Sequence, residues 1–310
     1  MELRLTAGFL LVNLHEMIGV GMNKIIELLK LTRIEHSMML VIAVLAAERI
    51  AFGIPSMYIL VLSLLTPILI SMGSFAINDY FDIKVDRLNK KMGRPLVSGA
   101  LKPKTALYTA VLAFSLGIIA SAMINLYAFA IALVFAALAF LYSYKLKEIL
   151  LVGNIYIALA MVIPFIYGSY VVSNVLPYAI IAISIMVFLS GLAREIHGTI
   201  RDYRGDIKER ESVNLPKLVG TRGSSYLALI LYLIAISLSV YLFLYVAPFS
   251  YNLVFLSMMA ASDILILYSG IGYVLVKSKK SGFYDLSRNI SLLAMTIALL
   301  AILISSFANI

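Results

Sequence analysis

Nine long apolar stretches constrain the fold of this chain more than any other feature of its sequence. They lie at residues 37–54, 57–77, 105–122, 125–144, 149–170, 175–193, 224–247, 250–276 and 287–309. An α-helix needs about 20 apolar residues to cross the hydrocarbon core of a bilayer. These stretches are continuously apolar, whereas the strands of a membrane β-barrel alternate apolar and polar residues. The sequence therefore predicts an all-α, polytopic membrane protein with a bundle of about nine transmembrane helices.

The amino-acid composition agrees with a membrane protein and excludes a soluble globular enzyme. Hydrophobic residues make up 62% of the 310 residues and charged residues 13%, whereas about a quarter of a soluble domain is charged. Cysteine is absent, which excludes disulfides, a thiolate nucleophile and a cysteine-ligated metal site. In so apolar a chain the net charge of +9 does not indicate nucleic acid binding. We assign it to loops that face anionic membrane lipid.

The positive charges are predicted to lie on one side of the membrane. With a cytoplasmic N-terminus, residues 78–104, 145–148, 194–222 and 277–286 share a side, and Lys and Arg are concentrated there. The opposite loops near 121–126, 171–177 and 246–252 carry no charge. Because Lys and Arg accumulate in cytoplasmic loops, we expect the basic side to be cytoplasmic and the protein to lie in the cell membrane.

The first 22 residues are set apart from this pattern. Their apolar part is short and interrupted by Asn13, His15 and Glu16, so it does not predict a transmembrane helix. We interpret residues 1–22 as a surface-lying or disordered lead, with Met22 as an alternative start. Residues 23–310 are predicted to form a single domain.

Two acidic motifs stand at the predicted cytoplasmic ends of helices. Asn78-Asp79-x-x-Asp82-x-x-x-Asp86 follows the second apolar stretch, and Asp202-x-x-x-Asp206 follows the sixth. Residues four apart share a helix face, so these carboxylates repel one another unless they are neutralised. Mg²⁺ binds such carboxylates and completes its shell with substrate phosphate oxygens. The two motifs therefore indicate a diphosphate held by bridging metal ions; the alternative is two solvated loops in which carboxylates balance cations.

At these residues the chain resembles the UbiA superfamily of intramembrane prenyltransferases. The two motifs are similar to the NDxxDxxxD and DxxxD motifs of that family, and Arg94-Pro95-Leu96-Val97-Ser98-Gly99 is similar to its RPLxSG continuation. The segment Tyr142-Ser143-Tyr144-Lys145-Leu146-Lys147, with Gly153-Asn154 after it, resembles a Tyr/Lys loop of the family. Residues 29–33 resemble the start of the first family helix.

The resemblance implies a site that transfers a prenyl group from a polyprenyl diphosphate to a lipophilic acceptor, with Mg²⁺ as cofactor. The implied metal ligands are Asp79, Asp82, Asp86, Asp202 and Asp206, and all of these except Asp79 are also implied to be catalytic. The residues implied to bind the diphosphate are Arg33, Asn78, Arg94, Lys145 and Lys147.

The sequence identifies the acceptor substrate less closely than the prenyl donor. Within the family, the short region around Ser37-Met38-Met39 most resembles a branch that uses geranylgeranyl diphosphate. Its acceptor is the free hydroxyl of geranylgeranylglyceryl phosphate, in a step of archaeal ether-lipid synthesis. Such an anionic acceptor needs a cation, and Arg201, Arg204 and Lys208 lie beside the second motif. The alternative is an aromatic acceptor, such as 4-hydroxybenzoate or a quinone or chlorin precursor.

A secondary transporter is the alternative from a different class. Transporters place their binding residues near the middle of the membrane, whereas polar residues here cluster at one side, apart from Asp263.

Asp263 is either functional or hydrogen-bonded to neighbouring helices. His197 is either a base or a packed side chain. Glu195 is a candidate to replace an acid in the second motif, because the chain has Gly198-Thr199 where family members often have Lys-Asp.

Overall fold

The computed structural model describes residues 23–307 apart from residues 52, 54, 150, 210–213 and 277–280, and without the side chains of residues 35, 204–209 and 281. The lead predicted for residues 1–22 lies outside this range. The helices are α1 (23–32), α2 (Ile34–Ile50), α3 (Met57–Leu88), α4 (Pro95–Ser98), α5 (Pro103–Ala122), α6 (Leu126–Tyr144), α7 (Val152–Val172), α8 (Tyr178–Glu209), α9 (Leu215–Tyr245), α10 (Leu253–Leu275) and α11 (Ser281–Phe307). A 3₁₀ turn, Leu146–Glu148, joins α6 to α7.

The long helices follow the predicted apolar stretches in order, which confirms the all-α polytopic class. Eight of the described helices are long and apolar enough to cross a membrane. The remaining long helix, α2, has 17 residues and contains Glu48 and Arg49. Its length is at the lower limit of about 17–25 residues for a span. The predicted number of about nine spans is therefore met by eight helices and by α2 at the limit.

Three helices continue well beyond the apolar stretches that predicted them. The second and sixth stretches end at residues 77 and 193, but α3 continues to Leu88 and α8 to Glu209. Helix α9 begins at Leu215 instead of 224, because the Asn214 side chain caps it by accepting a hydrogen bond from Lys217 N at 3.1 Å. Its first turn is separated from the long remainder of the helix by a kink at Gly220, where φ is +72°. The segment 194–222, predicted as a loop, is therefore mostly helical where it is described.

Close contact between α2 and α7 depends on a glycine. A Cβ atom on Gly168 would lie 2.7 Å from the Val44 carbonyl oxygen and 3.0 Å from Ala47 Cβ. Val44 and Ala47 are fully buried. Small residues allow helices in a membrane to approach closely, so Gly168 sets the distance between α2 and α7.

Replacing Gly168 by Ala is expected to lower the stability of the bundle by about 1–3 kcal/mol, because the new methyl group would overlap backbone atoms of α2. The measurement is thermal unfolding of the purified protein in detergent. Gly282→Ala is the matched control, because a Cβ there has no atom within 4 Å and alanine favours the helix. Equal melting temperatures for the two variants would contradict the role given to Gly168.

Candidate active site

The first acidic motif lies on one helix, as predicted. Asn78, Asp79, Asp82 and Asp86 all belong to the C-terminal part of α3. Asp79 and Asp86 are both 2% exposed, which is unusual for carboxylates and requires compensating charge. Both Asp79 and Asp86 pair with a cation from outside α3.

Arg94 bridges two carboxylates of this motif. Its Nη1 atom donates to Asp79 Oδ1 at 3.0 Å and also to Asp86 Oδ2. The RPLxSG segment holds Arg94 in place: Pro95 starts the single-turn helix α4, and Gly99 ends it with φ +82°. Leu96 is 2% exposed and anchors α4 in a core cluster with residues of α1 and α3. The motif therefore forms a turn, anchored by buried Pro95 and Leu96, that directs one guanidinium at two acids.

Two further cations reach the same motif, one from the start of α2 and one from the turn that follows α3. Arg33 has a left-handed backbone between α1 and α2, and its Nη2 donates to Asp79 Oδ1 at 2.7 Å. Its guanidinium also lies 4.7 Å from the centre of the Phe75 ring. Lys91 Nζ is 3.1 Å from Asp86 Oδ1. The buried acids are thus compensated from at least two directions.

Lys147 belongs to the turn after α6 and pairs with Asp82. Its Nζ donates to Asp82 Oδ1 at 2.6 Å, and both side chains are mostly buried. Gly153 permits this arrangement, because a Cβ there would lie only 3.3 Å from Lys147 Cα. Lys145, two residues earlier, is exposed and does not line the cavity described below. Its role in binding diphosphate stays a prediction.

The second motif is described only in part. Asp202 lies on α8, is about half exposed, and accepts two hydrogen bonds from Arg201, at 2.7 Å from Nε and 2.9 Å from Nη2. About two helical turns before Asp202, Arg194 Nη1 is 3.4 Å from Glu195 Oε1. The side chains of Asp206, Arg204 and Lys208 lie outside the description, so the roles predicted for them stay predictions.

Residues from both motif regions line one polar cavity of about 540 Å³. Lys91, Arg94 and Lys147 come from the side of α3, and Arg201 and Asp202 come from α8. Further lining residues with polar side chains are Arg194, Glu195, His197, Thr199 and Arg288. The prediction that the two acidic helix ends of α3 and α8 face a common site is therefore consistent with the arrangement of the described residues.

A second cavity of about 550 Å³ adjoins the polar one and is mainly apolar. Arg33 and Asn78 line it, together with apolar residues of eight long helices. The two cavities share Tyr142, Arg194 and Arg288. Asp263 also lines the apolar cavity and accepts a hydrogen bond from Ser239 Oγ at 2.6 Å. A cavity lined by several Lys and Arg residues therefore adjoins a mainly apolar cavity.

The donor set suits a hard divalent cation, although no such site is preassembled among the described residues. No three Asp, Glu or His side chains of the described part converge in a way that could hold a metal ion. Instead, Asp79, Asp82, Asp86 and Asp202 each face the positive charge of a Lys or Arg side chain. Carboxylates that already attract positive charge fit Mg²⁺, which prefers oxygen ligands. The paired Lys and Arg side chains are then available for phosphate oxygens.

Some polar residues of the cavities were not predicted. Arg288 stands at the start of the last apolar stretch, and an Arg in that position is the signal that could have identified it. Thr199, at one of the positions where the chain departs from the family pattern, accepts a hydrogen bond from Asn154 Nδ2 at 2.9 Å and ties α8 to α7. His197 stacks on Tyr273 at 3.7 Å between ring centres, which favours the packed interpretation.

Comparison with known proteins agrees with this geometry. Residues 37–284 match the model of the UbiA prenyltransferase family. The chain is 32% identical over 278 residues to digeranylgeranylglyceryl phosphate synthase of Archaeoglobus fulgidus, covering 89% of this chain and 94% of the relative. It is 32% identical over 260 residues to the synthase of the same name from Methanosphaera stadtmanae, covering 84% of this chain and 91% of that one.

Solved structures show the same fold. A structure from work on digeranylgeranylglyceryl phosphate synthase in membranes matches with a TM-score of 0.72 and 28% identity, covering 91% of this chain and 98% of that one. A UbiA homolog from Archaeoglobus fulgidus bound to GPP and Mg²⁺ shares the fold with a TM-score of 0.62 and 24% identity, covering 89% of this chain and 99% of that one. With its acidic helix ends, its membrane-spanning helices and a family match over most of its length, this chain belongs to the UbiA prenyltransferase family.

Proposed function

We propose that this enzyme transfers the geranylgeranyl group of geranylgeranyl diphosphate to the free hydroxyl of geranylgeranylglyceryl phosphate. The observation that carries this proposal is the adjoining pair of cavities, one cationic and one apolar, which share Tyr142, Arg194 and Arg288. A prenyl diphosphate has a matching charged head and apolar tail. The relatives named digeranylgeranylglyceryl phosphate synthase support the choice of acceptor.

The reaction exchanges one carbon–oxygen bond for another. The bond between C1 of the allylic chain and the diphosphate oxygen breaks, and its electron pair leaves with pyrophosphate. The acceptor hydroxyl oxygen bonds to C1, and its proton passes to the departing pyrophosphate. Negative charge therefore grows on the leaving group, and groups that meet this charge accelerate the step.

Basic residues of the polar cavity are proposed to receive that charge. Arg94 and Lys147 line the cavity and are oriented by Asp79, Asp82 and Asp86. The motif carboxylates are proposed to hold Mg²⁺, which supplies positive charge to the diphosphate when it is bound. A family structure with GPP and Mg²⁺ supports this cofactor.

The apolar cavity is proposed to hold the prenyl chain and to keep water from the reacting carbon. A carbocation-like C1 is captured by any water that reaches it, so a dry chamber protects the reaction. We place the polar cavity on the cytoplasmic side of the cell membrane, because the loops there carry the Lys and Arg excess. We assign residues 23–310 to one prenyltransferase domain.

The test is an assay of the purified enzyme with radiolabelled geranylgeranyl diphosphate and Mg²⁺. Geranylgeranylglyceryl phosphate and 4-hydroxybenzoate are offered separately, and lipid-soluble products are counted. We expect a labelled diether product with the glyceryl phosphate and none with the aromatic acid, and removal of Mg²⁺ by EDTA should stop turnover. A product with 4-hydroxybenzoate alone would overturn the acceptor assignment in favour of aromatic prenylation. No product with either acceptor would overturn both.

A further inference from the structure

Most cations of the polar cavity already have an acidic partner. Arg94 and Lys91 pair with Asp86, Lys147 pairs with Asp82, and Arg201 is held by both oxygens of Asp202. These pairs fix the side chains and offset their charge. Four of the cations that line the polar cavity are therefore already paired with an acid of the two motifs.

Arg194 and Arg288 differ from these cations. The contact of Arg194 with Glu195 is long, at 3.4 Å, and its Nε atom is buried without a hydrogen-bond partner among the described residues. Arg288 forms no ion pair with any other residue of the described part. A buried N–H without an acceptor costs free energy, and so such groups are normally satisfied by a ligand, an ion or water. The cavity therefore holds more donor capacity than its own acids use.

The position of these two residues limits what such a ligand can be. Arg194 lies on α8 and Arg288 on α11, and both line the polar and the apolar cavity at once. An anion bound between them would have water-accessible space on one side and apolar space on the other. A lipid that carries a phosphate group matches both requirements, and guanidinium groups bind phosphate oxygens in pairs.

We propose that Arg194 and Arg288 form an anion subsite, distinct from the diphosphate-binding residues around α3, that holds the phosphate group of the lipid acceptor. This inference rests on the proposed function, since it requires a phosphate-bearing acceptor. It differs from the sequence-based assignment of the acceptor to Arg201, Arg204 and Lys208. Arg201 is engaged by Asp202 through two hydrogen bonds, whereas among the described residues Arg194 forms only one long ion pair and Arg288 forms none.

The test compares KM for each substrate in Arg194→Gln and Arg288→Gln with wild type. A hydrogen bond to a charged group contributes about 1.5–3 kcal/mol, so the KM for geranylgeranylglyceryl phosphate is expected to rise about 10- to 100-fold in each variant. The KM for geranylgeranyl diphosphate should stay within about two-fold, because its binding residues are unchanged, and Arg288→Lys should recover part of the acceptor affinity. The matched control is Arg222→Gln, an exposed arginine of α9 that lines neither cavity.

A second acceptor isolates the phosphate contact. Geranylgeranylglycerol has the same chain and the same reacting hydroxyl, with a second hydroxyl in place of the phosphate, so wild type and Arg288→Gln should form the same diether from it with equal kcat/KM. A rise in donor KM with unchanged acceptor KM would overturn the inference and assign both arginines to the diphosphate. Equal losses with both acceptors would also overturn it. Wild-type enzyme that uses only 4-hydroxybenzoate would instead refute the proposed function, and the inference would fall with it.

Discussion

Replacing Asp82 by Asn is expected to reduce the rate of prenyl transfer by about 10²–10³-fold or more. Asp82 holds Lys147 at 2.6 Å beside the polar cavity, and Asn keeps the shape of the side chain but loses its charge. Loss of one group that positions charge at a reacting centre has an effect of this size. Asp202→Asn should have an effect of the same order, because Asp202 lines the cavity from the opposite helix. The measurement is kcat with labelled geranylgeranyl diphosphate.

The control for both variants is Glu27→Gln. Glu27 pairs with Lys30 on α1 at 2.6 Å, in an exposed arrangement away from both cavities, and such a pair contributes little. We expect it to keep wild-type kcat. Size-exclusion elution and melting temperature establish that each variant is folded. Near-normal kcat in both Asp82→Asn and Asp202→Asn would refute a reaction site between the two acidic motifs.

Replacing Arg94 by Met is expected to lower both stability and activity. Arg94 bridges Asp79 and Asp86, which are almost completely buried. Removing one partner of a buried ion pair costs about 3–5 kcal/mol, because a charge is left uncompensated. Arg33 and Lys91 remain beside the two acids, so we expect a loss near the lower limit, about 3 kcal/mol. The measurement is the free energy of unfolding in detergent, with exposed Arg87→Met on α3 as the control.

A double-mutant cycle separates the two effects of Arg94. In an Asp79→Asn, Asp86→Asn background the acids no longer need compensation, so Arg94→Met should cost much less stability there. Activity should stay absent in that background, because two of the proposed Mg²⁺ ligands are lost together with the guanidinium, so the cycle is read in stability alone. The same stability cost in both backgrounds would contradict the bridging role of Arg94.

The order of the long helices could be predicted from the sequence, but their ends could not. An apolar stretch marks the part of a helix that lies in hydrocarbon, while backbone hydrogen bonding continues wherever the polar residues beyond it allow a helix. Helix α3 runs through its acidic motif to Leu88, since cations from elsewhere neutralise the repulsion among its carboxylates. The beginning of α9 at Leu215 depends on the Asn214 cap, a signal that hydrophobicity does not carry.

Short motifs predicted several of the residues that line the polar cavity or pair with its acids, whereas residues that only packing brings to the cavity were not predicted. Arg33, Arg94 and Lys147 were predicted to bind diphosphate, and all three pair with the first acidic motif. Arg288 was not predicted, because its place in the lining of the same cavities as Arg194 depends on how α8 and α11 pack. Lys145 resembles Lys147 in sequence, yet it is exposed, because a shift of two residues on a tight turn redirects the side chain.

The adjoining cavities have a consequence for the direction of the reaction. The two products differ in solubility: pyrophosphate dissolves in water, and the prenylated lipid dissolves in the bilayer. The two cavities share Tyr142, Arg194 and Arg288. We expect pyrophosphate to depart through the cationic cavity into water, and the elongated lipid to depart through the apolar cavity into the bilayer. Once the two products occupy separate phases, their chance of meeting again at C1 is small. By releasing its two products into different phases, the helix bundle is expected to disfavour the reverse reaction.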